Sequence, residues 1–332
     1  MVSFRNKLSA ALEQRHIELS DDLAEGRFDA VLVIGGTRQL VGLWRLRRRG
    51  TRIVQRLDGM NWLHRQRWSG IRHFLRAEYG NWVLAFIHSR LADRIVYQSK
   101  FARNWWERVQ GPASAPGRVI YNGVDLEKYT PVGSGERPAD RCRILLVEGS
   151  LMGGYEMGLE TALRLGEAVS ERLRTAHSLS IPSRVELMVA GHVPEETRRR
   201  WEGHSAVPVN WAGLQPADRI PELDRSAHLL YSSDLNAACP NSVVEALACG
   251  LPVLAFDTGA IPELVTGDAG RVVPYGGDPW RLEPPDIAAL SQAALEILHD
   301  QKRFRQAARA RAESAFSLDT MADSYLDALL GG

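Results

Sequence analysis

Short apolar runs alternate along the chain with longer stretches of helical periodicity. Asp29–Gly36 (DAVLVIGG) is an apolar run closed by glycines, the pattern of a strand buried on both faces. Thr51–Leu57, Arg94–Gln98 and Val119–Tyr121 predict further strands, with helices over Trp68–Tyr79 and Phe101–Val109. The opening MVSFRNKLSAALEQRH has the spacing of an amphipathic helix. A second series begins after Thr130–Arg141, a stretch of Pro, Gly and charge that reads as a linker. Its predicted strands are Arg143–Val147, Val185–Ala190, Val207–Trp211, Leu229–Ser232 and Val253–Phe256. Helical patterns intervene at Leu159–Leu173, Ala217–Ser226 and Ser242–Cys249, and Pro285–His299, Gln301–Ala315 and Ser317–Leu330 close the chain. Strands alternating with helices predict an α/β fold with parallel sheets. Two such series joined by one linker predict two doubly wound domains, with ligands beyond the carboxyl ends of the strands and in the cleft between the domains.

The length, 332 residues, suits two domains. No apolar run reaches the roughly 18–20 residues that cross a bilayer, and the start lacks a signal-peptide core, so a cytoplasmic location is expected. Cys142, Cys239 and Cys249 are widely spaced and form no C-x-x-C pair, as for buried thiols in a reducing compartment. His, Cys and carboxylates nowhere fall at metal-ligand spacing, so no metal site is expected. The net charge of +1 conceals an asymmetry: residues 1–130 hold 22 Lys/Arg against 12 Asp/Glu, and the remainder 19 against 28. The basic half should favour an anionic partner or a membrane carrying anionic lipid.

The most informative string is Ala238–Glu263, ACPNSVVEALACGLPVLAFDTGAIPE. Asn241–Ser242 stand where a helix N-cap is expected, ahead of the apolar run VVEALA. Gly250 supplies the helix stop and Pro252 follows. A helix N-terminus at a cleft offers free N–H groups and the positive end of a dipole, which suit a phosphate or diphosphate. Glu245, one turn in, can reach a ribose hydroxyl pair.

This string resembles the donor-site signature of the retaining GT-B glycosyltransferases, family 4. Val119–Pro131 (VIYNGVDLEKYTP) resembles the family's segment at the end of the N-terminal domain, and Arg90–Phe101 the strand before it. Met188–His192 and Val209–Gly213 match the strand-and-glycine pattern of the nucleotide domain. The resemblance implies a GT-B fold, two Rossmann-like domains facing each other across a cleft. Residues 1–132 would form the acceptor-side domain, 140–316 the donor domain, and 317–332 a last helix crossing back. It also implies a nucleotide-diphosphate sugar as donor substrate, no cofactor, no metal, and transfer with retention. By the same resemblance Glu245 binds the ribose, the N–H groups of Asn241, Ser242 and Val243 hold the diphosphate, Gly149, Ser150, Gly153 and Gly154 form the loop under the phosphates, and Gly191 and His192 lie near the base.

The chain departs from the pattern in three places. The family often pairs its Glu with an acid eight positions earlier that contacts the sugar; here that position is Ala237, with Asp234 and Asn236 nearby. The loop Glu148–Glu156 carries no basic residue for the diphosphate, so an anion nest around Gly153–Gly154, aided by Arg38 or Arg56, is expected instead. The chain opens on Ser3-Phe4-Arg5, resembling the helix after the family's first strand, so either the start lies further upstream or that strand is missing. These departures leave an alternative open: a non-catalytic or truncated GT-B protein serving as a binding or assembly partner. A glycan phosphorylase would need a pyridoxal lysine, and the C-terminal half has only Lys302.

In the N-terminal half, Leu43–Arg76 interleaves arginines with Trp44, Trp62 and Trp68. It reads as a solvated helix face over core tryptophans, or as a peripheral membrane face with arginines at the headgroups. Nucleic-acid binding is not expected, because no known motif accompanies the arginines. Asp58, at a predicted strand end, is the acceptor-side hydroxyl partner and, with Glu245, the catalytic candidate; Gly35, Gly36 and Arg56 are placed on the same side. His64 and His88 are further acceptor-side candidates. The expected partners are the NDP-sugar and a glycan or lipid-linked acceptor.

Overall fold

Apolar strands without alternation need helices on both faces, and the chain supplies them in order. A computed structural model describes residues 2–23, 27–67, 70–151, 156–175 and 181–331. It falls into two units, one holding the chain up to Gly123 together with the segment from Phe316 onward, the other Val124–Ala315.

The first unit comprises α1 (Val2–Glu13), β1 (Ala30–Ile34), α2 (Leu40–Arg48), β2 (Arg52–Leu57), α3 (Leu63–Gln66), α4 (Ile71–Phe86), β3 (Arg94–Tyr97), α5 (Lys100–Gln110) and β4 (Gly117–Val119). The strands pair in parallel in the order β1-β2-β3-β4, so their carboxyl ends share one edge. Adjacent residues of β2 serve opposite faces, as strand geometry requires. Ile53 packs with Val33, Leu43, Val83 and Ile87, whereas Val54 packs with Phe4, Leu8 and Leu12 of α1 and with Met321, Tyr325 and Leu329. Those last three belong to the terminal helix of the chain (Leu318–Leu330), which Arg15 also ties to α1 through Asp319 and Asp323.

The second unit comprises β5 (Cys142–Ser150), α6 (Glu156–Thr175), β6 (Val185–His192), α7 (Glu195–Glu202), β7 (Val209–Gly213), α8 (Ile220–Ser226), β8 (Leu229–Ser232), α9 (Asn241–Ala248), β9 (Val253–Phe256), α10 (Ile261–Leu264), β10 (Gly270–Val273), α11 (Ile287–His299) and α12 (Gln301–Ala315); the terminal helix is α13. Its six parallel strands run β10-β9-β8-β5-β6-β7. The chain starts in the middle, winds out through β6 and β7, then returns to the other side of β5. This reversal makes the β5/β8 junction a topological switch point, where the carboxyl ends open a crevice.

The structure differs from the sequence expectations in local ways. The two units divide at Gly123/Val124 rather than at residue 132, because 124–132 is anchored within the second unit. The Tyr129 carbonyl accepts from Arg309 at 2.8 Å, and its hydroxyl donates to the Ala217 carbonyl at 3.1 Å. The fourth strand is Gly117–Val119, not Val119–Tyr121. The helix expected to end at Tyr79 continues through Gly80 to Phe86, since helical packing of Val83 and Leu84 outweighs the cost of one glycine, about 1 kcal/mol. Strand β10 went unpredicted, because four edge residues containing an Arg carry little periodic signal. Among the described residues no helix is long and apolar enough to cross a membrane.

Candidate functional site

The signature string occupies the carboxyl edge of the second sheet. Strand β8 ends at Ser232, a loop leads to α9, and the loop after β9 returns beside it. These loops touch at Gly259, whose φ of 62° belongs to the left-handed region. A Cβ there would stand 2.5 Å from the Ala237 nitrogen, and the Ala260 N–H donates to the Ala237 carbonyl at 2.8 Å. Ala237 is buried in this junction, so the position of the missing acid is filled by packing.

Helix α9 begins one residue earlier than the N-cap expectation. Pro240 is the N-cap, with extended backbone and no capping side chain, and Asn241, Ser242 and Val243 form the first helical turn. Their N–H groups therefore receive no side-chain cap from the N-cap position, which leaves the helix terminus suited to an anionic ligand. Glu245 follows on the same helix and is 9% exposed. The Tyr129 hydroxyl stands between the Ala217 carbonyl and the Glu245 carboxylate, two acceptors for one proton, so Glu245 keeps acceptor capacity for a further hydroxyl. Burial and the neighbouring Glu245 push the Tyr129 phenol well above its ordinary range. Asp224, fully buried and hydrogen-bonded with the Cys249 thiol, is pushed far up by burial and then by Glu245.

Across the switch point, β5 ends in Glu148-Gly149-Ser150. Gly149 and Ser150 are exposed, whereas Glu148 accepts from the Ser233 hydroxyl at 3.0 Å. Burial, and then the charge of Asp234, raise the Glu148 carboxyl above the ordinary range; burial raises Asp234 as well. Two acids thus meet where basic residues are missing, and the proton they retain prevents a full like-charge clash with an anion placed there. On the other side β6 ends in Gly191 and His192. A Cβ on Gly191 would overlap the Glu148 carbonyl, and the Leu151 N–H donates to the His192 carbonyl at 2.9 Å, so this pair fixes the exit of β5. Gly153 and Gly154, the expected anion nest, lie outside the described residues, as does Trp68.

In the first unit the acceptor-side candidates collect at the carboxyl edge of β1 and β2. The Gly35 N–H donates to the Arg56 carbonyl at 2.9 Å, and Gly36 packs against Val83 and Leu84 of α4. Arg56 is buried, stacked on the Phe4 ring 3.6 Å from its centroid, and donates to the Asn122 side chain at 2.8 Å. That engagement suits a framing role rather than reach toward a ligand. Asp58 is half-buried, and its carbonyl accepts from the Trp106 indole at 2.7 Å. Burial raises its carboxyl, opposed by Arg56. His64 is buried against Glu78 at 2.8 Å and His88 against the Tyr97 hydroxyl at 3.1 Å, so both are satisfied by neighbours. Sequence reasoning missed Glu148, Tyr129 and Asp224 as site groups; Glu148 alone had a local signal, ending the first strand of the second series.

A family model described as Glycosyl transferases group 1 matches residues 153–300, and one described as Glycosyltransferase Family 4 matches residues 4–128. Among curated proteins the chain is similar to the O-antigen chain mannosyltransferase B of Escherichia coli, 29% identical over 119 residues. It is also similar to a sulfoquinovosyl transferase of Arabidopsis thaliana, 23% identical over 247 residues. These alignments cover 36% and 73% of this chain but only 26% and 42% of the two relatives, so the chain spans less than half the length of the curated relatives it matches. Among solved structures, sucrose-phosphate synthase from Thermosynechococcus elongatus superposes with a TM-score of 0.68 at 19% identity, over 97% of this chain and 77% of that one. An Anabaena protein, HepE, solved with UDP-glucose, superposes with a TM-score of 0.64 at 19% identity, over 90% of this chain and 78% of that one.

Proposed function

Because the chain belongs to the group 1 glycosyltransferases and has their GT-B fold of two Rossmann-like units, we propose that it transfers a sugar from a nucleotide-diphosphate donor to an acceptor hydroxyl, with retention at the anomeric carbon and without a metal or other cofactor. The observation that carries this reading is the α9 terminus: a helix start without a side-chain cap, with Glu245 one turn behind it, at the carboxyl edge of a doubly wound sheet.

In this reading the leaving diphosphate binds the first turn of α9, where N–H groups and the helix dipole meet the charge that develops as the glycosidic bond breaks. Gly149 and Ser150 lie under the phosphates, and Gly191 and His192 beside the base. Glu245 accepts from the ribose hydroxyls and so orients the donor, an effect on position rather than on bond making. Protonated Glu148 donates a hydrogen bond where an ionised group would repel the diphosphate. Asp58 accepts a hydrogen bond from the attacking hydroxyl; a carboxyl raised by burial is the better proton acceptor once ionised.

A glycan or a lipid-linked glycan is the acceptor, in glycolipid or cell-envelope polysaccharide synthesis at the inner face of a membrane. What supports membrane contact is α4. Ile71, Leu75, Tyr79 and Trp82 recur at helical spacing with 56%, 60%, 49% and 54% of their surface exposed, flanked by exposed Arg72 and Arg76. On α2, Trp44 is likewise exposed, under the Arg48 guanidinium. Apolar and aromatic groups framed by arginines suit an anionic bilayer interface.

The test is donor consumption. Incubation with UDP-glucose and GDP-mannose, in the presence of membrane extract and EDTA, should release one nucleotide, and Asp58→Asn should abolish that release. Nucleotide binding without consumption of either donor would instead support a non-catalytic binding partner, the reading that the filled Ala237 position favours.

A further inference from the structure

The second unit also holds an arginine-lined cavity of about 370 Å³, bounded by Arg137, Arg225 and Arg305, with Glu136, Pro131 and two glycines of the 130–141 segment completing its wall. It lies at the amino edge of the sheet, opposite the signature loops. Arg305 donates to the Ala227 carbonyl, just ahead of β8, at 3.2 Å. Pro131 packs at Gly250, just ahead of β9.

Most arginines of this unit that approach a carboxylate are paired with it, as Arg143 with Glu186 and Arg271 with Glu296. The three cavity arginines make no ion pair among the described residues. Arg225 spends two of its nitrogens on the Ser134 and Thr130 carbonyls, at 2.6 and 3.1 Å, and Arg137 makes no hydrogen bond among the described residues. Asp224, the acid beside Arg225 and Arg305, is pushed up by burial and then by Glu245, which weakens it as a counter-charge to them. Burial, and then Arg137, push the Arg305 guanidinium down to about 10. Burial and the charges of Arg137, Arg305 and Arg143 hold His228 at about 4, so this histidine is neutral and adds no cation. Glu136 is the sole carboxylate in the lining. Three guanidinium groups gathered against one carboxylate repel one another, and a bound anion relieves that cost. Their planar donor forks match phosphate oxygens.

We propose that this cavity is a second ligand site, separate from the donor site, that binds a phosphate monoester dianion through Arg137, Arg225 and Arg305. The volume falls in the range of small-ligand pockets and exceeds what a bare phosphate needs, leaving room for the carbon skeleton it is attached to. Phosphate of this kind reaches a protein either on a soluble phosphorylated metabolite or as a lipid headgroup.

The test is calorimetric titration of the full chain with glycerol 3-phosphate, alongside co-sedimentation with vesicles of phosphatidylcholine with and without phosphatidic acid. Two substitutions at exposed positions should act in opposite directions. Arg137→Ala weakens binding roughly tenfold, the loss of one charge-assisted hydrogen bond, and Glu136→Gln strengthens it. Nucleotide binding should be unchanged in both variants, so failure of the glycosyltransferase reading would show there and leave the phosphate result intact. A soluble response alone assigns the metabolite, and a vesicle response sensitive to Arg137→Ala assigns the headgroup. Phosphate binding that neither substitution alters, or no binding in either format, overturns the proposal.

Discussion

Glu245→Gln separates binding from folding at the centre of the candidate donor site. Gln keeps the shape of the side chain and an acceptor for the Tyr129 hydroxyl, but loses the charge. Glu245 is only 9% exposed, so its hydrogen bonds to a ligand form away from bulk water. Hydrogen bonds to a charged group contribute about 1.5–3 kcal/mol, so nucleotide affinity should fall roughly 10- to 150-fold. The assay is thermal unfolding with and without nucleotide. At about 100 times its dissociation constant a ligand stabilises the wild type by about 2.7 kcal/mol; after a roughly 30-fold loss the same concentration leaves about 0.9 kcal/mol. For a unit of this size about 1 kcal/mol moves the midpoint by roughly 2–4 °C, so a shift of roughly 5–11 °C should shrink to about 2–4 °C. Without ligand the midpoint should hold or rise, because the substitution removes a carboxylate from beside buried Asp224. An undiminished nucleotide shift would refute the ribose role. A midpoint several degrees lower without ligand would show that Glu245 serves the core instead.

Two further outcomes follow from charge and exposure. Glu148 and Asp234 have raised carboxyls, so between the ordinary value near 4.5 and the raised folded one the native state binds more protons than the unfolded chain, and stability falls as pH rises through that window. Asp224 and Asp58 act in the same direction, so the diagnostic result is a shallower midpoint-versus-pH slope in Glu148→Gln than in wild type; equal slopes would show that the pair does not titrate there. On α4, the Leu75→Ser, Trp82→Ser double variant should lose co-sedimentation with anionic vesicles while its midpoint stays within about 1 °C, since exposed side chains contribute little to folding; retained sedimentation would remove the membrane face.

Apart from β10, the order of the strands along the chain, together with the two-part organisation and the signature around α9, was legible in the residues alone. Apolar runs such as Asp29–Gly36 and periodic stretches such as Gln301–Ala315 state their element type locally, because strand and helix geometry repeat over a few residues. Asn241–Ser242 marked the helix start to within one residue, and only the backbone angles of Pro240 decided which group stood at the cap. What lay beyond reach of the sequence depends on strand order. Glu148 and Asp234, separated by 86 positions, meet because β8 pairs with β5 after the chain reverses. The Tyr129–Glu245–Asp224 group and the Arg137–Arg225–Arg305 cavity likewise join residues from the stretch 124–141, from α8 and from later helices. Burial and Coulomb interaction act through space, and a chain carries no local record of which distant residues will share a low-dielectric site; that is settled only when the sheet closes in the order β10-β9-β8-β5-β6-β7.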